Sequence, residues 1–201
     1  MGQEPDPSRS PGPVSGIPDE PRPFEPFACL GTVRIYDSRW CGLRRDTLKL
    51  HTGREQEHHV VEISDAVAVV PVLADGRIAL IGQYRYVHGR THWEVPAGRV
   101  GPGESARAAA ERELLEEAGL ASANWTELPG FYPINGISPH WAHAFLAEDC
   151  TVAGEPMPEE SEQLARRFFT REEVERLLDA GRFADAFTAL TIAYWLRRPP
   201  R

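Results

Sequence analysis

The sequence predicts an α/β protein: an α/β/α sandwich built on a mixed β-sheet, preceded by a small antiparallel β-meander. Three observations predict it. Two apolar, β-branched runs at 66–73 and 78–84 flank Asp75-Gly76, a strong hairpin signal, and read as the centre of the sheet. Helix ends are marked at three places: Ser105 and Gly119 bracket one helix, Thr170-Arg171-Glu172-Glu173 is a capping box for a second that stops at Gly181, and a third covers 185–197. Strand-like stretches precede and follow the first of these, so the order of elements puts helices on two faces of the sheet.

Taken in order, residues 1–26 hold 8 of the 18 prolines, with Gly, Ser and acidic residues between them. Such a segment cannot bury enough apolar surface to offset its ordering entropy, and it reads as a disordered tail. From Phe27 the texture changes. Residues 28–36, 43–50 and 58–63 read as strands, with Thr52-Gly53 marking a turn. This meander, 27–62, is too small to be stable alone and must pack on something, a second subunit being one candidate. The domain proper is expected over 63–201. Gln83-Tyr84-Arg85-Tyr86 ends its second strand, and Trp93-Glu94-Val95-Pro96-Ala97-Gly98 leads towards the first helix. Pro96 ends a strand, and Ala97 and Gly98 bring bare backbone close to that helix. Residues 125–133 and 140–146 read as strands around the loop 134–139, then come an acidic loop, 155–162, and a last strand, 164–169. Phe187, Leu190 and Tyr194 recur at helical spacing as the core face of the final helix.

Length and composition bound the function. The 201 residues suit one domain with appendages. A formal net charge of −8 disfavours a general nucleic-acid surface, though a nucleotide site needs only a local arginine. No run approaches the roughly 20 apolar residues of a membrane span, and no apolar signal-peptide core opens the chain. Cys29, Cys41 and Cys150 show no metal spacing and read as buried thiols of a reducing cytoplasm. His140 and His143 stand three apart in a strand, which points them to opposite faces and argues against a metal pair.

The chemistry concentrates in 98–120, GRVGPGESARAAAERELLEEAGL. On a helix capped by Ser105, Glu113, Glu116 and Glu117 fall within a sector of about 100°. Like charges at that spacing destabilise a bare helix, and a hard dication such as Mg²⁺ or Mn²⁺, which prefers oxygen ligands, reverses that cost. Arg112, four residues before Glu116, is placed to orient the carboxylates. The alternative reading is a solvated acidic face.

The spacing decides between them. Gly98, five residues, Glu104, seven residues, Arg112-Glu113-Leu114, one residue, Glu116-Glu117, one residue, Gly119-Leu120 fills every fixed position of the Nudix box. The chain therefore resembles the Nudix hydrolases, and the sandwich expected is the Nudix type. QYR at a strand end, WEVPAG, the acidic loop followed by a strand and a capped helix, and the leading meander resemble the ADP-ribose pyrophosphatase subgroup, over roughly 27–196.

The resemblance implies a metal-dependent hydrolase that splits the pyrophosphate bond of a nucleoside diphosphate linked to another group, ADP-ribose to AMP and ribose 5-phosphate first, a nucleotide sugar such as GDP-mannose as the alternative. A non-catalytic nucleotide sensor would have lost box glutamates. Mg²⁺ or Mn²⁺ would neutralise the diphosphate and acidify water. Glu113 and Glu117 are the expected ligands, Glu116 a direct or water-mediated one, and the Ala97 carbonyl a backbone one. Arg112 orients the glutamates, Glu104 supports the loop, and Arg85 holds a phosphate oxygen. The general base is expected at Glu160 or Glu162, with Glu159 close by. Trp40 or Tyr132 is the candidate to stack on the nucleobase. In the subgroup the meander exchanges between the subunits of a dimer, which implies a homodimer; the cysteines, the net charge and the lack of a long apolar run add the expectation of a cytoplasmic protein with neither nucleic-acid nor membrane partners. Two positions depart from the pattern: Asn135-Gly136 where the subgroup has proline before glycine, and His140 where it often has glutamate.

Overall fold

The computed structural model of the protein describes residues 24–157 and 163–199. The loop glutamates Glu159, Glu160 and Glu162, and the proposed tail up to residue 23, lie outside the described residues. Those described divide into two compact units, 24–63 with 134–140, and 64–133 with 141–199.

The first unit is the meander. Strands β1 (Ala28–Asp37), β2 (Gly42–Lys49) and β3 (Glu55–Glu62) pair antiparallel in that order. The turn between β2 and β3 has Gly53 at φ 81°, a left-handed conformation that a side chain would strain. Polar groups knit the strands: Asp46 accepts from the Thr32 hydroxyl at 2.8 Å, and Glu62 accepts from Arg44 at 2.6 Å and from Arg34. The loop 134–140 joins this unit through the Val61 N–H, which donates to the Ile137 carbonyl at 2.8 Å. Among its described residues Val60 is the sole buried hydrophobic one.

The second unit holds the mixed sheet. Its strands are β4 (Ala66–Leu73), β5 (Ile78–Arg85), β6 (Arg90–Glu94), β7 (Ala97–Arg99), β8 (Leu120–Ala121), β9 (Asn124–Phe131), β10 (Ala142–Val152) and β11 (Leu164–Phe169). The order is β11-β5-β4-β10-β8, with β6 beside β5, β7 beside β4 and β9 beside β10. The β4–β10 pair is parallel and the others are antiparallel. Alternation along β4 then builds two cores. Val67 and Val69 pack with Ala109, Ala110, Leu114 and Ala118 of helix α1 (Ala106–Ala118). Ala68 and Val70 face the other way, into a core with Val174 of α2 (Arg171–Asp179) and Ile192 and Trp195 of α3 (Ala186–Leu196). The sandwich is thus the expected one, and the Thr170 capping box is fully formed.

Details differ from the sequence reading: β3 starts at Glu55, and neither β8 nor the extent of β6, Arg90–Glu94, was expected. β7 is a strand of three residues, too short for alternation to reveal. β10 starts at Ala142 and runs past Leu146 to Val152, because an irregularity between Ala147 and Cys150, with Asp149 at φ 53°, lets pairing continue beyond the polar Glu148-Asp149. Of the cysteines, Cys150 alone is buried; Cys29 is exposed and Cys41 half-buried.

Candidate active site

The site is assembled where β7 runs beneath α1. The helix begins at Ser105, whose hydroxyl accepts from the Ala108 N–H at 3.1 Å, and ends at Gly119 in the left-handed conformation. Alanines at 109 and 110, both fully buried, let its backbone lie close to the sheet. That closeness places two carboxylates against β7. Glu117, 2% exposed, accepts from the Ala97 N–H at 2.8 Å. Glu113, 9% exposed, lies over Gly98, so tightly that a Cβ built there would overlap its carboxylate. Gly98 is thus required by the approach of a side chain. Glu116, on the same helix face, is half-exposed.

Arg112 supplies the counter-charge. Its Nη1 donates to Glu113 at 2.6 Å and Glu116 at 3.1 Å, its Nε and Nη2 to Glu104 at 3.1 Å each, and Nη2 also to the Arg99 carbonyl at 2.9 Å. Glu104 in turn accepts from the Gly101 N–H at 2.8 Å and closes the loop before the helix. The Arg112 hydrogen bonds, then that of Gly101, hold Glu104 below the usual carboxylate range, and Glu104 is the main cause that raises Arg112 above an ordinary arginine. A guanidinium bonded to three carboxylates fixes their rotamers.

Arg85 ends β5 and extends to Glu94 on β6, with Nε 3.0 and 3.2 Å from the two carboxylate oxygens and Nη2 on Oε2. Burial opposes its charge, but the Glu94 bond and the fields of Glu94, Glu117 and Asp185 outweigh it and raise its pKa. Of the α1 carboxylates, Glu117 contributes to that field.

The donor set fits a hard dication. Every candidate ligand is a carboxylate or backbone oxygen, and two of the carboxylates are buried, a costly arrangement unless cations are near. Among the described residues no three His, Cys, Asp or Glu side chains form a closed ligand group. Arg112 shares out Glu104, Glu113 and Glu116, and Glu117 is on Ala97. Ala97 donates its N–H to Glu117; the ligand expected on this residue is its other backbone group, the carbonyl.

The other candidates are placed as follows. Tyr132, 42% exposed, packs edge-on against Trp141 with ring centroids 4.6 Å apart. Trp40 belongs to the first unit, 53% exposed, with the Arg39 guanidinium 4.3 Å over its ring. Neither is a core residue. His140 is buried and precedes β10, while His143 on that strand approaches Asp65 at 3.7 Å. Glu94, which holds Arg85, is not among the residues singled out from the sequence. Its signal becomes legible only after 78–85 and 90–94 are known to pair, because the register decides that it shares a face with Arg85.

Comparisons with known proteins show which proteins the chain resembles. A model of the NUDIX domain matches residues 63–190. An ADP-ribose pyrophosphatase of Bacillus subtilis is 32% identical over 166 residues, 82% of this chain and 90% of that protein. A CMP-5'-(N-acetyl-N-hydroxy-3-aminopropyl)phosphonate hydrolase of Streptomyces rubellomurinus is 31% identical over 158 residues, 78% of this chain and 75% of that protein. A crystal structure of an ADP compounds hydrolase superposes with a TM-score of 0.75 over 88% of this chain and 97% of its own, at 22% identity, a likeness of fold. With its box filled, its glutamates gathered on one face of α1 and its domain matched from 63 to 190, the chain belongs to the Nudix family.

Proposed function

We propose that this Nudix hydrolase cleaves ADP-ribose between its two phosphorus atoms, giving AMP and ribose 5-phosphate, with Mg²⁺ or Mn²⁺ held by Glu113, Glu116, Glu117 and the Ala97 backbone. The observation that carries the reading is the pair of buried carboxylates, Glu113 and Glu117, set against the bare backbone of β7. The similarity to an ADP-ribose pyrophosphatase over 90% of its length supports the substrate. A bound divalent cation supplies charge neutralisation for the diphosphate and acidifies water. The chain's own residues do the rest. Arg112 fixes the glutamates, Arg85 grips a phosphate oxygen, and Glu160 or Glu162 takes the proton from the attacking water. Trp40 or Tyr132, both exposed, offers a ring to the nucleobase. The reading includes a cytoplasmic homodimer joined through the meander.

The test is a panel of nucleoside diphosphate compounds, ADP-ribose, ADP-glucose and GDP-mannose among them, incubated with Mg²⁺ or Mn²⁺ and followed by the phosphomonoester products, read as inorganic phosphate after treatment with alkaline phosphatase. ADP-ribose is expected to give the highest kcat/KM, with AMP as the nucleotide product. A preference for a nucleotide sugar would move the substrate assignment, and no cleavage of any member would sink the enzymatic reading. Glu160→Gln and Glu162→Gln identify the base: if both keep full rates, neither is it.

A further inference from the structure

We propose that Glu94 is a positioning residue for phosphate recognition, fixing the Arg85 guanidinium so that one edge of it is presented to the diphosphate. The inference rests on the reading of Arg85 as the phosphate ligand and adds the residue that makes it one.

The register of the β5–β6 hairpin supplies the geometry. Ile81 pairs with Glu94, Gln83 with His92, and Arg85 with Arg90. Residues directly opposite in an antiparallel pair share a face, so Arg85, Gln83, His92 and Glu94 project to one side of the sheet. Arg85 and Glu94 lie at opposite ends of this stretch and meet over the Gln83–His92 pair. Ala79, two steps further along the same face of β5, packs in the core beneath α1. The ion pair therefore stands on the side of the sheet that carries Glu113 and Glu117.

The bonding is one-sided. Nε and Nη2 of Arg85 both donate to Glu94, while no partner is recorded for Nη1 among the described residues. A guanidinium has five N–H donors in a rigid fork, so gripping one edge dictates where the other edge faces. The exposures match this division of labour. The Glu94 side chain is 6% exposed and that of Arg85 41%. The anchor is buried and the head it anchors is open to solvent. Gln83 lies beneath, 3% exposed, and its Oε1 has no hydrogen-bond partner among the described residues, so it does not share the hold on Arg85. An unanchored arginine must give up rotamer freedom on binding an anion. One already locked by a buried carboxylate does not, and that is preorganisation.

The test is calorimetric titration of inorganic pyrophosphate into the Mg²⁺-loaded protein, with ADP-ribose kinetics alongside, for wild type, Arg85→Met, Glu94→Gln, and both together. Misplacing an anion-binding group by an ångström costs on the order of ten- to a hundredfold. Glu94→Gln is expected to weaken pyrophosphate binding and raise KM about tenfold, with kcat changed far less. In the Arg85→Met background it should change neither, because its effect passes through Arg85. Glu94→Asp, which keeps the charge but draws it back, should fall between. Because Glu94→Gln leaves Arg85 without its buried counter-charge, melting is followed for all variants; the double variant removes the buried charge with its partner and keeps the comparison valid. The proposal is overturned if Glu94→Gln leaves pyrophosphate affinity intact while Arg85→Met weakens it, if the two effects multiply in the double variant, or if Glu94→Gln lowers kcat and not affinity. If Arg85→Met itself leaves pyrophosphate binding and KM unchanged, the phosphate-ligand reading fails first. Wild-type turnover of ADP-ribose tests the substrate separately.

Discussion

The hydrogen that Gly98 carries in place of a methyl group decides where Glu113 lies. Gly98→Ala would force that carboxylate off β7. The displaced atoms are the far end of a flexible side chain, so the fold should adapt at small cost, whereas the metal-binding geometry should not. The expected outcome is a thermal midpoint within a few degrees of wild type and a marked rise in the Mg²⁺ concentration needed for half-maximal turnover. An unchanged Mg²⁺ dependence would detach Glu113 from the metal. Glu104 lends itself to a pH test. Arg112 and the Gly101 N–H hold it below the ordinary glutamate range. A carboxylate depressed in the folded state stabilises the fold above its unfolded pKa, and that contribution is lost as pH falls through the folded value. Glu104→Gln should therefore melt lower than wild type at neutral pH. The gap should close as pH drops from the normal glutamate range, about 4.3, to below it. A gap that persisted in acid would assign the loss to packing.

At the scale of elements, the ends of α1 are as consequential as its face. Gly119 has φ 61°, and a Cβ there would run into the backbone carbonyl of Gly154, in a turn whose Ala153 N–H donates to the Gly119 carbonyl at 2.9 Å. Gly103 is also left-handed, at φ 75°, but a Cβ there meets nothing within 4 Å. Left-handed strain costs about 1–2 kcal/mol at either position. Gly103→Ala should lose only that, and Gly119→Ala distinctly more, read as urea midpoints of the two variants side by side. Equal losses would mean that the turn moves aside freely. The caps at Ser105 and Thr170 and the glycine stop were legible in the sequence because each satisfies a local backbone demand. So were β4 and β5, whose apolar runs are long. β7 was not: three residues with a glycine at the centre carry no period, and their role depends on β4 alongside and α1 above. For the same reason the acidic face was legible, being one helix's own periodicity, whereas the Arg85–Glu94 pair required a cross-strand register that no spacing discloses.

At the scale of the whole molecule, the distribution of apolar surface is uneven. The second unit has two cores; the first has Val60. Strand β1 contains no buried residue, yet it carries Leu30 at 51% exposure, Val33 at 51%, Ile35 at 49% and Tyr36 at 55%. It is also an edge strand, with a row of backbone donors and acceptors open to pairing. Three strands with so little interior are not stable in isolation, and apolar side chains on an open edge invite aggregation unless a partner covers them. The proposed occupant is a second copy of the chain, as the meander's place in a homodimer requires. Replacing Val33 and Ile35 together by aspartate puts two charges on that strand without touching the box or Arg85. Light scattering of the wild type should give twice the chain mass of 22.4 kDa at assay concentration, and the doubly substituted protein should scatter as a monomer or aggregate, with kcat/KM for ADP-ribose reduced. A wild type that scatters as a fully active monomer would leave β1 without its proposed cover, and a doubly substituted dimer would place the subunit contact elsewhere on the chain.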